Sequence, residues 1–180
     1  MQWGPVSGHM AQHIVLMNVV APFVVLLALH LLPRATPRML ALATLLQLGL
    51  IWFWHAPPVL GSLGHHGLMH VVMQSSLTAS ALLFWWSVLC LRDTGQWRAI
   101  IALLITSKLF CLLGVLLTFS PRQLFGIPSG TEAAMADQQL AGLLMLVACP
   151  ATYLVAGVIL AARWIGVLDA QPPRAATLRS

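Results

Sequence analysis

The fold class is decided by the stretch RAIIALLITSKLFCLLGVLLTFS, residues 98–120, which is strongly apolar. As an α-helix rising about 1.5 Å per residue, it would be about 35 Å long, enough to cross the roughly 30 Å hydrocarbon core of a bilayer. Its only charged residues are Arg98, at the start, and Lys108, near the middle. The stretch therefore predicts a transmembrane helix.

Four other apolar runs of similar length accompany this stretch, at about 10–32, 38–56, 66–91 and 138–165. The composition agrees, because 59% of the 180 residues are hydrophobic and only 7% are charged, whereas roughly a quarter of a soluble domain is charged. We predict an all-α integral membrane bundle of about five transmembrane helices. It is expected to form one domain over residues 1–169, followed by a disordered cytoplasmic tail at 170–180.

The arginines are distributed unequally between the two ends of the predicted helices. Only Arg122 lies at the end that also carries Glu132 and Asp137. Short cytoplasmic loops carry an excess of Lys and Arg, so we expect the N-terminus in the periplasm and the C-terminus in the cytoplasm. The arginines on the expected cytoplasmic side are Arg34, Arg38, Arg92, Arg98, Arg163, Arg174 and Arg179.

The charge balance and the cysteines argue against two classes of function. Nine Lys and Arg oppose four Asp and Glu, but the basic residues lie at the ends of apolar runs. This placement indicates topology and lipid-headgroup contact rather than nucleic-acid binding. Cys90, Cys111 and Cys149 lie inside apolar runs without CxxC spacing. We interpret them as small buried residues rather than as a disulfide framework or a zinc site.

Six of the seven histidines fall at the expected outer ends of the helices. They lie where the first helix begins, where the second ends and where the third begins, and only His30 lies at the inner end. Background scatter would not place them so unevenly. The six outer histidines are His9, His13, His55, His65, His66 and His70.

Helical spacing groups these histidines with methionines. His9, His13 and Met17 are four residues apart, so they share one face of the first helix. On the third helix Met73 continues the face of His66 and His70, and on the fifth Met145 follows Asp137 and Ala141 at the same spacing. Each methionine lies about 10 Å below its helix start. The pattern predicts a layer of imidazoles above a layer of thioethers.

Imidazole and thioether together suit a soft or borderline metal, and Cu(I) is the best candidate. Asp137 is expected to orient one of the histidines or to cap the fifth helix. The predicted metal ligands are His9, His13, His55, His66, His70, Met17, Met73 and Met145.

A plainer interpretation stands beside this one. Histidine is comfortable at a membrane interface, and methionine is an ordinary apolar core residue. His30 and His65 are expected to be bystanders. Met10, Met69 and Met135 are expected to face lipid or lie in loops.

Three residues inside the apolar runs interrupt the pattern. Pro22 and Pro150 each leave a carbonyl four residues earlier without its donor, although transmembrane helices tolerate proline routinely. Lys108 lies near mid-bilayer, where a charge is costly, and no Asp or Glu shares that depth. The sequence assigns it no function.

Four stretches resemble the motifs of the CtaG family, which comprises membrane-embedded assembly factors for cytochrome c oxidase. They are HMAQH at 9–13, WHAP at 54–57, HGLMH at 66–70 and DQQLAGLLM at 137–145. These stretches occur in order and span most of the chain. The resemblance implies a bacterial inner-membrane protein that helps to supply copper to the oxidase. It points to His9, His13, His55, His66, His70, Asp137 and Met145.

The leading hypothesis is therefore a non-enzymatic Cu(I)-binding protein whose partners are oxidase subunits or a periplasmic copper chaperone. One alternative is a b-type haem electron carrier with His13 and His70 as axial ligands. Another is a scaffold that binds oxidase subunits without any cofactor. An enzyme is not expected, because no nucleophile–base pair accompanies a plausible substrate pocket. The oligomeric state stays open.

Overall fold

The computed structural model describes residues 4–56, 58–59, 67–91, 95–124 and 131–169. Several residues named above lie outside this part of the chain. They include the predicted ligand His66, its neighbour His65, Pro57 of the WHAP stretch and the predicted tail at 170–180.

Five long helices make up the described chain. Each is long and apolar enough to cross a bilayer, which confirms the predicted all-helical class and the count of five candidate spans. They are α1 (Pro5–Ala28), α2 (Pro37–Trp54), α3 (Gly67–Leu89), α4 (Gln96–Phe119) and α5 (Glu132–Asp169).

Two helices begin earlier than the sequence suggested. α1 begins at Pro5 instead of near residue 10, with proline at the first helical position, where its missing N–H costs nothing. α5 begins at Glu132, so Asp137 lies inside it and does not start it. The carboxylate of Asp137 instead accepts hydrogen bonds from the backbone N–H groups of Val6 (2.9 Å) and Ser7 (3.1 Å). Asp137 therefore caps a different helix from its own.

A π-helical turn, Leu16–Val20, interrupts α1 just before Pro22. In this turn the N–H of Ala21 bonds to the carbonyl of Leu16, five residues earlier. The next bond in that register would run from Pro22, which has no N–H, to the carbonyl of Met17. The indole N–H of Trp85 on α3 donates to that carbonyl at 2.9 Å. The carbonyl of Met17, which Pro22 leaves without a donor in this register, therefore gains its donor from another helix. α5, in contrast, continues without interruption through Pro150.

The helices pack around a buried aromatic cluster in the middle of the bundle. Tyr153 of α5 is 1% exposed; its ring stacks on Trp85 with centroids 5.4 Å apart, and its hydroxyl accepts a hydrogen bond from the Gln47 side chain at 2.8 Å. Phe84 and Phe110 contact the same ring. One side chain therefore connects α2, α3, α4 and α5.

α4 and α5 approach each other closely through two glycines. A Cβ added to Gly142 would lie 2.7 Å from the carbonyl oxygen of Gly114, and it would also overlap Thr118. Small residues that let backbones approach are typical of helix contacts in membranes. The α4–α5 pair is thus fixed at one level by backbone contact.

The two ends of the bundle differ in chemistry. His9, His13, His55 and His70 lie at one end, which we call the histidine end. At the opposite end the chain linking α1 and α2 packs on the end of α3, where the Trp86 indole donates to the carbonyl of Pro33 at 3.1 Å. Four arginines lie in the helix ends and the link at this opposite end, namely Arg34, Arg38, Arg98 and Arg163. The direction in which the bundle crosses a membrane stays a prediction.

Candidate metal site

Four imidazoles form a continuous chain at the histidine end. Nε2 of His70 on α3 lies 3.0 Å from Nδ1 of His9 on α1, and Nε2 of His9 lies 2.8 Å from Nε2 of His13. The ring of His13 is 5.8 Å, centroid to centroid, from that of His55 at the end of α2. Three helices thus bring together residues up to 61 positions apart in sequence.

The chain of imidazoles runs from the surface into the core. His70 is exposed and His9 is half-buried, whereas His13 and His55 are each only 3% exposed. The spacing of four residues along α1 places His13 one turn deeper than His9. The imidazoles are therefore possible metal ligands at successive depths, from the surface at His70 to the core at His13 and His55.

His55 presents a free ring nitrogen to the interior. It follows the last turn of α2, where its Nδ1 lies 2.7 Å from the carbonyl oxygen of Ile51. A carbonyl only accepts, so Nδ1 carries the proton and Nε2 keeps its lone pair. Nε2 is buried and has no hydrogen-bond partner in the described part of the chain. Burial lowers the pKa of His55 to about 4, against a smaller opposing effect of the bond to Ile51, so the ring is neutral at neutral pH.

A cavity of about 10 Å³ lies beside His13 and His55, toward the middle of the bundle. A space of that size is about the smallest that admits one water-sized particle. The remaining lining comes from Ile14, Ile51, Phe110 and Asn18, together with four sulfur-containing residues, Met10, Met17, Met145 and Cys149.

Asn18 is the one amide in this lining. It lies beside Cys149, yet among the described residues neither its amide oxygen nor its nitrogen has a hydrogen bond of good geometry. A buried polar group of this kind is costly unless it finds a partner. The cavity is thus lined by unsatisfied polar atoms as well as by sulfur.

The structure brings most of the predicted ligands together. His9, His13, His55 and His70 form the imidazole chain, and Met17 and Met145 line the cavity. Met73 is fully buried but is not among the residues that line the cavity. Asp137 does not cap α5, which begins at Glu132, and its carboxylate bonds to the first turn of α1 instead.

Met10, Asn18 and Cys149 were missed as site residues. We expected Met10 to face lipid or a loop, but it is 2% exposed, because it lies one turn before His13 on the buried face of α1. Cys149, interpreted only as a small buried residue, follows Met145 by four positions and extends the same stripe. The helical spacing that identified Met145 could therefore have identified Cys149 as well.

The donors are close together without forming a closed coordination sphere. Among the described residues, no three His, Cys, Asp or Glu side chains are spaced to hold a metal ion. The two Nε2 atoms of His9 and His13, at 2.8 Å, are too close to bind one ion side by side. Metal–nitrogen bonds of about 2.0 Å would set them roughly 3.3 Å or more apart. An ion bound there would have to replace the hydrogen bond between the two rings.

The stretch DQQLAGLLM explains how this end is held together. Asp137 caps α1, and Gln138, which is fully buried, accepts from the N–H of Leu124 at 2.6 Å and donates to the carbonyl of Leu117 at 3.2 Å. Gly142 allows the close approach of α4, and Met145 lines the cavity. One segment of α5 therefore positions the start of α1, the end of α4 and one sulfur donor.

Comparison with known families gives one match. Residues 4–166 match the family described as cytochrome c oxidase caa3 assembly factor (Caa3_CtaG), which confirms the resemblance seen in the four motifs. Comparison with curated proteins and with solved structures finds no match. The matched range contains all five candidate spans up to Gly166 and every residue of the histidine chain. The family is one of assembly factors rather than of enzymes.

Proposed function

This chain belongs to the family of cytochrome c oxidase caa3 assembly factors, and on that premise we propose that it binds Cu(I) at the histidine end and delivers it to the oxidase. Copper is the cargo in this proposal. The single observation that carries it is the cavity that His13 and His55 share with four sulfur-containing residues. The lone pair on Nε2 of His55 is the group most in need of a partner there.

The chemistry of the lining favours Cu(I) over harder ions. Thioether and thiol sulfur select Cu(I), and imidazole also suits copper. Carboxylates, which Mg²⁺ and Ca²⁺ require, are missing from the described lining. His13, His55, Met17 and Met145 are the proposed ligands of the bound ion, with Met10 and Cys149 available beside them.

The graded burial of the imidazoles supplies a route for the ion. His70 is exposed, and His9 connects it to His13 through hydrogen-bonding nitrogens. We propose that Cu(I) enters at His70, passes to His9 and His13, and returns by the same path to an acceptor. His66 stays a proposed ligand of this entry point. Each transfer exchanges one nitrogen for the next, so the ion is never without a ligand.

The proposed location is the bacterial inner membrane, with the chain crossing it several times and the histidine end facing the periplasm. The distribution of arginines supports this direction, because Arg34, Arg38, Arg98 and Arg163 belong to the opposite end. The proposed partners are oxidase subunits and a periplasmic copper chaperone.

The haem alternative has less support from the geometry. His9 lies between His13 and His70, and the cavity beside His13 is about 10 Å³, whereas sites for organic ligands of drug size have volumes of roughly 300 Å³ or more. A scaffold that acts without any cofactor agrees with the family as well as the copper proposal does. The experiment must therefore distinguish a copper-binding protein from a scaffold without a cofactor.

The test is Cu(I) binding to the purified full chain under anaerobic conditions, with copper counted by elemental analysis and affinity measured by competition with a chromogenic chelator. We expect one copper per chain in the wild type and at least about tenfold weaker binding in His13→Ala and His55→Ala. His30→Ala is the matched control, because His30 is exposed at the opposite end. Unchanged affinity in both cavity variants would contradict the proposed site. A chain free of metal and haem that still supports oxidase maturation would favour the scaffold.

A further inference from the structure

Lys108 lies at the middle of α4 with its side chain on the outside of the bundle. It is twelve residues from Gln96 and eleven from Phe119, so about 17 Å of helix separates it from either end. Its side chain is exposed, and so are its apolar neighbours Leu104 (44%) and Leu112 (46%). In a membrane this face of α4 meets lipid.

An amine at that depth needs a partner. Lysines near helix ends extend their ammonium groups to the membrane surface. The Lys108 side chain reaches only about 6 Å from the helix, whereas the edge of the hydrocarbon core is about 15 Å away. Among the described residues, Lys108 has no ion-pair or hydrogen-bond partner.

Three of the four acidic residues belong to the described chain, and each of them lies at a different depth from Lys108. Asp169 is the last residue of α5, at the opposite end from the histidines, and Asp93 comes three residues before the start of α4 in the sequence. Glu132 begins α5, and Asp137 adjoins Gln138, whose amide bonds to the carbonyl of Leu117. Leu117 is nine residues from Lys108, or about 14 Å along α4. A second copy of the described chain, packed at the same level, would therefore bring no acidic group to Lys108.

The face that carries Lys108 continues into a groove. Val115, Leu116 and Phe119 follow at helical spacing and line a groove of about 520 Å³ between α4 and the end of α2. His55 lines this groove and also lines the small cavity on its other side. The surface that runs from Lys108 to His55 is therefore largely apolar, and the amine of Lys108 lies at the end of this surface nearer the middle of the bilayer.

We propose that this surface is the docking site for a transmembrane helix of another protein that carries an Asp or Glu near its middle. The carboxylate pairs with Lys108, and the apolar residues of the partner helix fill the groove up to His55. Charge complementarity defines the partner, because Lys108 lies at mid-bilayer depth and no acidic residue of the described chain lies at that depth. The inference does not depend on copper binding.

The experiment uses p-benzoylphenylalanine in place of Leu112, in the full chain, in cells that express a caa3-type oxidase. Leu112 lies one turn from Lys108 on the same face. The same photoreactive residue in place of Val147 is the control, because Val147 is exposed at 65% on α5 at a similar depth. We expect an adduct at position 112 with a transmembrane segment that has a carboxylate within about one helical turn of the crosslink. Position 147 should not yield that adduct.

Charge exchange then tests the ion pair. Lys108→Met should lower the adduct yield at least tenfold, Lys108→Arg should retain it, and Lys108→Glu should regain it when the partner's acid is changed to Lys. The Cu(I) affinity of Lys108→Met should equal that of the wild type, since Lys108 does not line the cavity, so this test is separate from the copper test. Adducts only with lipid or with a second copy, a partner segment without a carboxylate, or a yield unaffected by Lys108→Met would overturn the proposal.

Discussion

Gly142→Ala should separate α4 from α5 and weaken copper binding without touching a ligand. The new Cβ would lie 2.7 Å from both the carbonyl oxygen of Gly114 and the backbone nitrogen of Thr118. Ordinary contact begins near 3.4 Å, and because backbone atoms cannot rotate away, the helices must part by about 0.7 Å. Overpacking of this kind costs about 1–3 kcal/mol, offset by up to about 1 kcal/mol of helix propensity.

The assay is thermal unfolding of the detergent-purified chain, combined with Cu(I) competition. A net loss of about 1–2 kcal/mol corresponds to a Tm roughly 2–8 °C lower for a chain of this size. Gly157→Ala is the control on the same helix, because nothing lies within 4 Å of a Cβ at that position, and it should leave Tm unchanged or raise it. Copper affinity should fall in Gly142→Ala, since Met145 lies one turn further along α5 and moves with it. Equal Tm values for the two variants would refute the steric argument.

Three further changes test other contacts. In the metal-free protein the pKa of His55 is about 4, against 6.5 in the unfolded chain. As the pH falls from about 6.5 to about 4, only the unfolded chain takes up this proton, so the free energy of unfolding should fall across that window. The decrease should be steeper in the wild type than in His55→Gln. Asp137→Ala should lower the free energy of unfolding by at most about 1–3 kcal/mol, because Asp137 is partly exposed, and it should speed hydrogen exchange in the first turn of α1. Asp137→Asn should lower the free energy of unfolding by less. Tyr153→Phe should lower stability by about 1–3 kcal/mol by leaving the Gln47 amide unpaired, and Gln47→Leu in the same chain should recover part of that loss. Slow exchange in Asp137→Ala, or no recovery with Gln47→Leu, would contradict these two assignments.

The helices and the histidine end were predictable because both depend on local pattern. Apolar length determines a span, and the spacing of His9 and His13 determines a shared helix face. Neither of these depends on knowing how the helices pack against one another. The end of the second apolar run placed His55 at the same end.

The orientation of each helix about its own axis was harder to predict. A span that is apolar all round has no polar side to mark its lipid-facing surface. Met73 was therefore placed with His70, yet Met73 is fully buried whereas His70 is exposed. Met10 was misjudged for the same reason, whereas Cys149 is buried as predicted.

The start of α5 was misjudged for a different reason. Asp137 has the chemistry of a helix cap, and a sequence pattern can only assign that chemistry to the helix that follows it. In the structure its oxygens bond to amides about 130 residues earlier in the chain. Capping between helices distant in sequence has no local signature, so it becomes visible only in the folded chain.

The π turn in α1 determines the direction in which His9 and His13 point around the helix axis. One additional residue in a helix advances everything beyond it by about 100° around the axis. Without that advance, the half of α1 that carries His9 and His13 could not face inward while Val25 also packs in the core. Deleting a single residue such as Val19, which is 58% exposed, would restore an unbroken α-helix and turn the imidazoles toward lipid. The donor set therefore depends on an irregularity of the backbone as much as on the identity of its side chains.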